Sequence, residues 1–418
     1  MARPNPLRSL RPLDWGRRLI DLLGPTSDAA RQSLVALGFN SVTSLVAGAF
    51  LGSLVATFED LPGLLLMVPA AIGLRGNIFS TFGNRISTAV HTGTFTTAIR
   101  RDTVLGQNVL ATMSLTVVMS LVLALVARVV ALAFGVQNSI GVLELSLISL
   151  VGGVLASVIV LGASVLLALT SVRRDWDLDN LVAPSVSTLG DVITIPCLYV
   201  ASLLVRDGAW VQWLSGALIA VALVVLVLSL RSKLSIFRRV VVESIPVLTV
   251  ALALSTLAGV AVEKRLSIFA VLPALLILQP SFVSSAGSLG GILSSRISTG
   301  LHLGLVKPTL VPGRPVLEDA GLVLSLAVPI YVLNAMGAQL VATILGQESP
   351  GLGWMLATAL VAGLVTVVFV VALAYYGTMA AWRVDLDPDS VGIPVVTASV
   401  DFVGVVCLVA VVVLFGLV

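Results

Sequence analysis

The chain has 418 residues, of which 58% are hydrophobic and 11% charged, and a formal net charge of +3 at pH 7. Soluble domains run at about 45–50% apolar and about 25% charged, so a water-soluble globular protein is excluded. The charge is too small and dispersed to attract nucleic acid. Cys197 and Cys407 both sit inside apolar runs and give no disulfide framework.

In chain order, residues 1–30 come first. They open "MARPNPLRSLRPLDWGRRL", basic but not apolar enough for a cleaved signal peptide. Trp15 and Leu22 interleaved with arginines suit a short helix on the membrane surface, or a cytoplasmic tail. A bilayer-crossing helix needs about 20 apolar residues. On that criterion we read spans near 33–57, 61–93, 104–134, 140–172 and 182–205, and again near 244–262, 266–304, 320–345, 351–380 and 391–417. Between them "WVQWLSGALIAVALVVLVLSL" (210–230) supplies one more. The expected fold class is an all-α membrane protein of about eleven transmembrane helices.

The two sets of spans are copies. "RISTAVHTG" (85–93) returns as "RISTGLHLG" (296–304). A constant offset of 211 equates Gln32 with Glu243, Gly48 with Gly259, Pro69 with Pro280, Gly76 with Gly287 and Arg85 with Arg296. Further on the offset is 210, equating Asp179 with Asp389, Asp191 with Asp401 and Cys197 with Cys407. The domain organisation follows: a segment at 1–30, a first repeat at 31–207, a linker helix at 208–232 and a second repeat at 233–418. Five spans per repeat is an odd number, so one extra crossing sets both repeats in the same orientation, as in parallel repeats. Basic loops favour the cytoplasm. Of the 24 Lys and Arg, 17 fall in segments on the side of the N-terminus, against Arg206, Lys264 and Arg265 opposite. The expectation is an N-terminus in the cytoplasm and a C-terminus outside, in the cell membrane.

Ionisable residues within spans are expensive and mark function. Asp191 and Asp401 each lie about two turns into the last helix of their repeat. Two-fold related repeats would bring them face to face. Close, buried carboxylates repel and lose solvation, a penalty that a shared divalent cation removes. Mg²⁺ suits such a site because it dehydrates reluctantly and is held by one or two carboxylates with waters. Ser187 and Thr397 lie four residues earlier, on the same helical face as Asp191 and Asp401. The competing reading pairs each aspartate with Arg85 or Arg296 as a buried ion pair.

"PAAIGLRGNIFSTFGNRIST" and "DLDNLVAPSVSTLGD" resemble the membrane domain of MgtE-type magnesium channels and transporters. The tandem arrangement resembles solute carrier family 41, in which two such domains are fused. The resemblance implies that Asp191 and Asp401 occupy the family's pore aspartate position, and that Asn77 contributes an oxygen. In the second repeat Ser288 stands where the family pattern has asparagine.

Around these residues, Pro69, Gly73 and Gly76, with Pro280, Gly287, Gly290 and Gly291, are expected to interrupt the second span of each repeat. Such breaks free carbonyls to line a cavity; close packing through small residues is the alternative. Arg85 and Arg296 are expected to turn from a cation path toward helix ends or Asp177, Asp179, Asp387 and Asp389. Thr88 and His91 share a helix face, so Thr88 and Thr299 are candidate pathway residues. His91 and His302 suit hydrogen bonds between helices better than Mg²⁺, which prefers oxygen. Asp179 and Asp389 form either solvated helix caps or an acidic vestibule.

The sequence contains no nucleophile–base or HExxH-type constellation, so we expect a transporter or channel for a divalent cation, Mg²⁺ foremost, and not an enzyme. Its partners are the cation and the lipid bilayer, and a pseudo-dimer within one chain lets a monomer suffice. The alternative is a secondary transporter of an anionic metabolite that uses Arg85 and Arg296, with Na⁺ or H⁺ at the aspartates.

Overall fold

The computed structural model describes residues 27–136, 138–173, 178–205, 209–383 and 393–417. The described residues form helices α1 (Ser27–Ser53), α2 (Val55–Asp60), α3 (Leu64–His91), α4 (Val104–Ala133), α5 (Val142–Arg173) and α6 (Leu178–Ser202). After α7 (Ala209–Leu230) come α8 (Ser235–Glu263), α9 (Leu266–Val271), α10 (Pro273–His302), α11 (Arg314–Ile344), α12 (Leu352–Arg383) and α13 (Ile393–Leu414). Ten of them are long and apolar enough to cross a membrane. α6 runs from Leu178 to Ser202, and the part of it whose side chains are described, Thr188–Ser202, is apolar. Most of residues 1–30 lies outside the described residues.

The helix order repeats about α7, and so do the helix ends. The glycine closing each copy of the repeated motif caps its helix: Gly93 (φ 69°) follows α3 and Gly304 (φ 70°) follows α10. Only a residue without a Cβ enters this left-handed region freely, which is why both copies end in glycine. The short helices α2 and α9 precede the long α3 and α10; the sequence reading had one span at 266–304 for α9 and α10, and placed α2 across the junction between its spans at 33–57 and 61–93. At the first of these junctions Gly63 (φ 93°) starts α3, and its N–H donates to Glu263 Oε1 at 2.7 Å. A carboxylate on a helix N-terminus satisfies free N–H groups and suits the dipole.

Each repeat gathers its own bundle: α3 with α4, α5 and α6, and α10 with α11, α12 and α13. The first helix of each repeat is exchanged. α1 packs on α10 and α11 of the second repeat and touches α6; α8 packs on α3 and α4 of the first and on α13. Glycine permits this close crossing. A Cβ on Gly48 would fall 2.9 Å from the Ile277 carbonyl carbon, and one on Gly259 would fall 2.7 Å from Leu66 Cα. Such backbone approach through small residues is the usual basis of helix association in lipid. Buried hydroxyls are largely returned to their own helices, as Thr194 to the Gly190 carbonyl and Thr366 to that of Ala362. α7 packs on the α4–α5 side of the first bundle, and little of it is buried, with Trp213 81% exposed.

Candidate metal site

The central feature is a cavity of about 290 Å³ where the two bundles meet. α3 contributes Pro69, Gly73, Gly76, Asn77 and Ser80, and α10 contributes Pro280, Ser284, Gly287, Ser288 and Gly291. Asp191 enters from α6, Thr397 and Asp401 from α13, and Ser44 from α1. The repeat offset thus equates the two walls almost residue for residue.

Both aspartates open onto this one space. Asp401 sits between the repeats. Its Oδ2 is 3.7 Å from where a Cβ on Gly73 would be, and its Oδ1 3.5 Å from the corresponding point on Gly287. The Ser255 hydroxyl lies 3.5 Å from the same Gly73 point. The expected helix breaks do not occur: α3 and α10 run unbroken through Pro69 and Pro280. A proline inside a helix removes one hydrogen bond, and flanking turns here carry the helix across the gap. The small residues instead leave room for a carboxylate beside the helix backbone.

Among the described residues, neither Asp191 nor Asp401 has an ion-pair partner. The competing arginine pairing is therefore absent. Arg296 binds Asp319 of α11 at 2.6 Å; the side chains of its expected partners at 177, 179, 387 and 389 fall outside what the structure describes. Neither Arg85 nor Arg296 lines the cavity. Thr88 and Thr299 are exposed outside it, and the Thr88 hydroxyl donates to the Asn84 carbonyl. His302 bonds the Ser298 carbonyl of its own helix at 2.9 Å and stacks edge-on against Trp382 at 4.9 Å. Its contact between helices is thus a ring contact rather than the expected hydrogen bond. Cys197 and Cys407 are free and lie in the packing. The side chains of Asp179, Ser187 and His91, and residues Asp177, Asp387 and Asp389, lie outside the described residues.

Sequence reasoning missed three polar residues. Ser44 is 1% exposed and lines the cavity, and its hydroxyl has no partner among the described residues. The same offset of 211 equates it with Ser255. Asn40 hydrogen-bonds Ser284 and Ser288 on the cavity wall. Arg75 stood in the quoted motif beside Gly76, yet its guanidinium turns from the cavity into the first bundle, where Nη2 donates to Ser120 Oγ at 3.3 Å. Among the described residues no group of three or more His, Cys, Asp and Glu side chains is assembled for a metal. A cation here would be held by two carboxylates, hydroxyls, an amide and water.

A family model described as MgtE, divalent cation transporter, matches residues 68–201 and 279–411. The chain belongs to this family. The two matched segments of this MgtE-family chain start and stop at positions that the repeat offsets equate. Its curated relatives include solute carrier family 41 member 3 of Mus musculus, 25% identical over 93% of this chain and 84% of that protein. Solute carrier family 41 member 2 of Xenopus laevis is 25% identical over 83% of this chain and 64% of its own length. A solved multidrug resistance MATE family transporter, inward-facing, aligns with a TM-score of 0.31 at 11% identity over 90% of this chain and 96% of that one. That likeness is too slight to bear on the fold. Membership makes this chain a membrane transporter for divalent cations and not an enzyme.

Proposed function

We propose that Asp191 and Asp401 hold one largely hydrated Mg²⁺ between the repeats, and that this cavity is the transport site. The observation that carries the reading is a pair of carboxylates from equivalent helices, open to one cavity and without an ion-pair partner among the described residues. An uncompensated charge inside a membrane protein costs several kcal/mol, and one divalent ion balances both carboxylates. The cavity of about 290 Å³ suits an ion that keeps its water, because six waters need roughly 180 Å³ at about 30 Å³ each. Mg²⁺ is the divalent ion most reluctant to shed that shell. Asn77, Ser288 and Thr397 offer oxygens to such waters, with Gly76 and Gly287 leaving the space clear.

The same reading sets the N-terminus in the cytoplasm and the C-terminus outside, supported by the basic loops. It also treats one chain as the working unit, because both halves of the site come from it. The anionic-metabolite alternative is disfavoured, since Arg85 and Arg296 lie away from the cavity. Calorimetric Mg²⁺ titration of wild type, D191N, D401N and the double variant tests the site. Each single variant is expected to lose at least about tenfold in affinity, as even outer groups of metal sites do, with little further loss in the double. Unchanged binding in the double variant overturns the reading.

A further inference from the structure

The two cavity walls differ at several positions, among them Asn77 on α3, which is answered by Ser288 on α10. A hydroxyl is shorter than a carboxamide and its direction is less fixed, so the second wall is weaker by sequence alone. The structure shows a carboxamide beside it from elsewhere. Asn40, on the exchanged helix α1, donates from Nδ2 to Ser284 Oγ at 2.8 Å and to Ser288 Oγ at 3.2 Å. Ser284 Oγ donates back to Asn40 Oδ1 at 3.2 Å. At the equivalent place on α8 the chain has Ala251, and opposite it Gly73 stands where Ser284 would be. Asparagine has therefore been lost from the wall and gained on the helix beside it, in the same repeat interface and on one side only. No side-chain hydrogen bond holds Asn77 among the described residues, whereas Ser288 is held by Asn40.

We infer that Asn40 is a positioning residue of the ion site: it fixes Ser288 so that the second wall presents an oriented oxygen where the first presents Asn77. This rests on the reading that a divalent ion occupies the cavity. The chemistry is specific. By accepting the Asn40 N–H, Ser288 Oγ commits one lone pair and keeps the other for a water of the ion's shell. A fixed acceptor favours the rigid octahedral shell of Mg²⁺ over the larger, adaptable shell of Ca²⁺. Packing alone does not require this arrangement, because the next residue already supplies a polar contact between the same helices. Ser41 Oγ lies 3.2 Å from Ser285 Oγ, which accepts from Asn334 Nδ2 at 2.9 Å. None of these three side chains lines the cavity.

The test is calorimetric titration of the full chain in nanodiscs with Mg²⁺ and, separately, Ca²⁺. The proteins are wild type, D401N, N40A, S41A, S288A and N40A/S288N. Loss of one oriented hydrogen bond should weaken Mg²⁺ binding about fivefold in N40A and in S288A, with a smaller change for Ca²⁺. N40A/S288N, which returns the carboxamide to the wall, should come back to within about twofold of wild type. S41A, which removes an equal link between α1 and α10, should bind as wild type. Wild-type affinity in N40A, an equal loss in N40A and S41A, or no recovery in N40A/S288N overturns the inference while the D401N loss leaves the site itself standing. If N40A does not fold, S288A decides, and an unchanged Mg²⁺ affinity there overturns it. Absence of Mg²⁺ binding by wild type overturns the reading and this inference together.

Discussion

The two repeats are alike where they meet and unlike where each packs within itself. At their meeting, Gly48 against Ile277 matches Gly259 against Leu66, and Pro69 and Gly76 on one cavity wall match Pro280 and Gly287 on the other. Inside the bundles the same three-residue contact is built from different chemistry. The first repeat has Arg75 on Ser120 under Gly153; at the equivalent places the second has Ala286, Tyr331 and Gly363. A Cβ on Gly153 would meet the Arg75 guanidinium, and one on Gly363 would meet the Tyr331 ring. Both large side chains are fully buried, and among the described residues both leave polar atoms without a partner: Nε and Nη1 of Arg75, and the Tyr331 hydroxyl. A bundle interior asks for volume, which many residue pairs supply. An interface between repeats asks for close backbones and a shared site, which few do.

The largest effect should come from the shared crossing. Gly48→Val and Gly259→Val each drive a side chain into the backbone of the opposite bundle, so each should cost at the upper end of about 1–3 kcal/mol or more. Thermal unfolding and gel filtration in detergent check this. Gly291, with open space around its Cβ position, should tolerate alanine. If Gly48 and Gly259 differ widely, the two crossings are not equivalent in energy, whatever their geometry.

A smaller effect probes the divergent interior. Ser120→Tyr alone crowds Arg75 and should cost about 2 kcal/mol. The double variant R75A/S120Y copies the second repeat and should recover at least half of that loss in a thermal melt. Failure to recover would mean that the two fillings are not interchangeable, and that Arg75 has work beyond filling space.

The smallest effect concerns the ends of the same helices. Arg296 is paired with Asp319, whereas the first repeat has Asn108 at the position of Asp319. The Asn108 amide bonds the Val104 carbonyl of its own helix, and Nε and Nη2 of Arg85 have no partner among the described residues. Asn108→Asp should therefore raise stability by about 0.5–1 kcal/mol, and Asp319→Asn should lower it by a similar amount. A melting temperature that falls with Asn108→Asp would show that Arg85 is committed elsewhere.

Much of this was legible in the sequence, and the reasons are specific. Apolar runs long enough to span gave the helices, and the offset between copies paired Asp191 with Asp401 and Gly76 with Gly287. The glycine ending each "RIST" motif was visible, although its role as a left-handed cap needed the backbone. The exchange of α1 and α8 was not legible. Each first helix carries the same small-residue face in either arrangement, so nothing local says which bundle it joins. The Arg296–Asp319 pair lay across two helices whose facing sides the pattern does not fix, and the acidic stretch at 387–389 was the more visible partner. Pro69 and Pro280 suggested breaks because proline removes a hydrogen bond; a long helix packed on all sides absorbs that loss. Ser288 was noticed as a departure, but its support comes from Asn40, 248 positions away in the chain.

That separation bears on how the protein is made. α1 leaves the ribosome first, carrying Asn40 and Ser41, whose partners at 284, 285 and 288 do not yet exist. At about 5–20 residues per second, the 244 residues from Asn40 to Ser284 take roughly 12–50 s to synthesise. For that interval a helix with an unsatisfied amide must wait in or beside the insertion machinery. The nascent first repeat meanwhile lacks α8, the helix that completes its own bundle. Neither half is finished until both are present, so a ribosome that stalls between them releases one bundle without its α8 and an α1 without its partners.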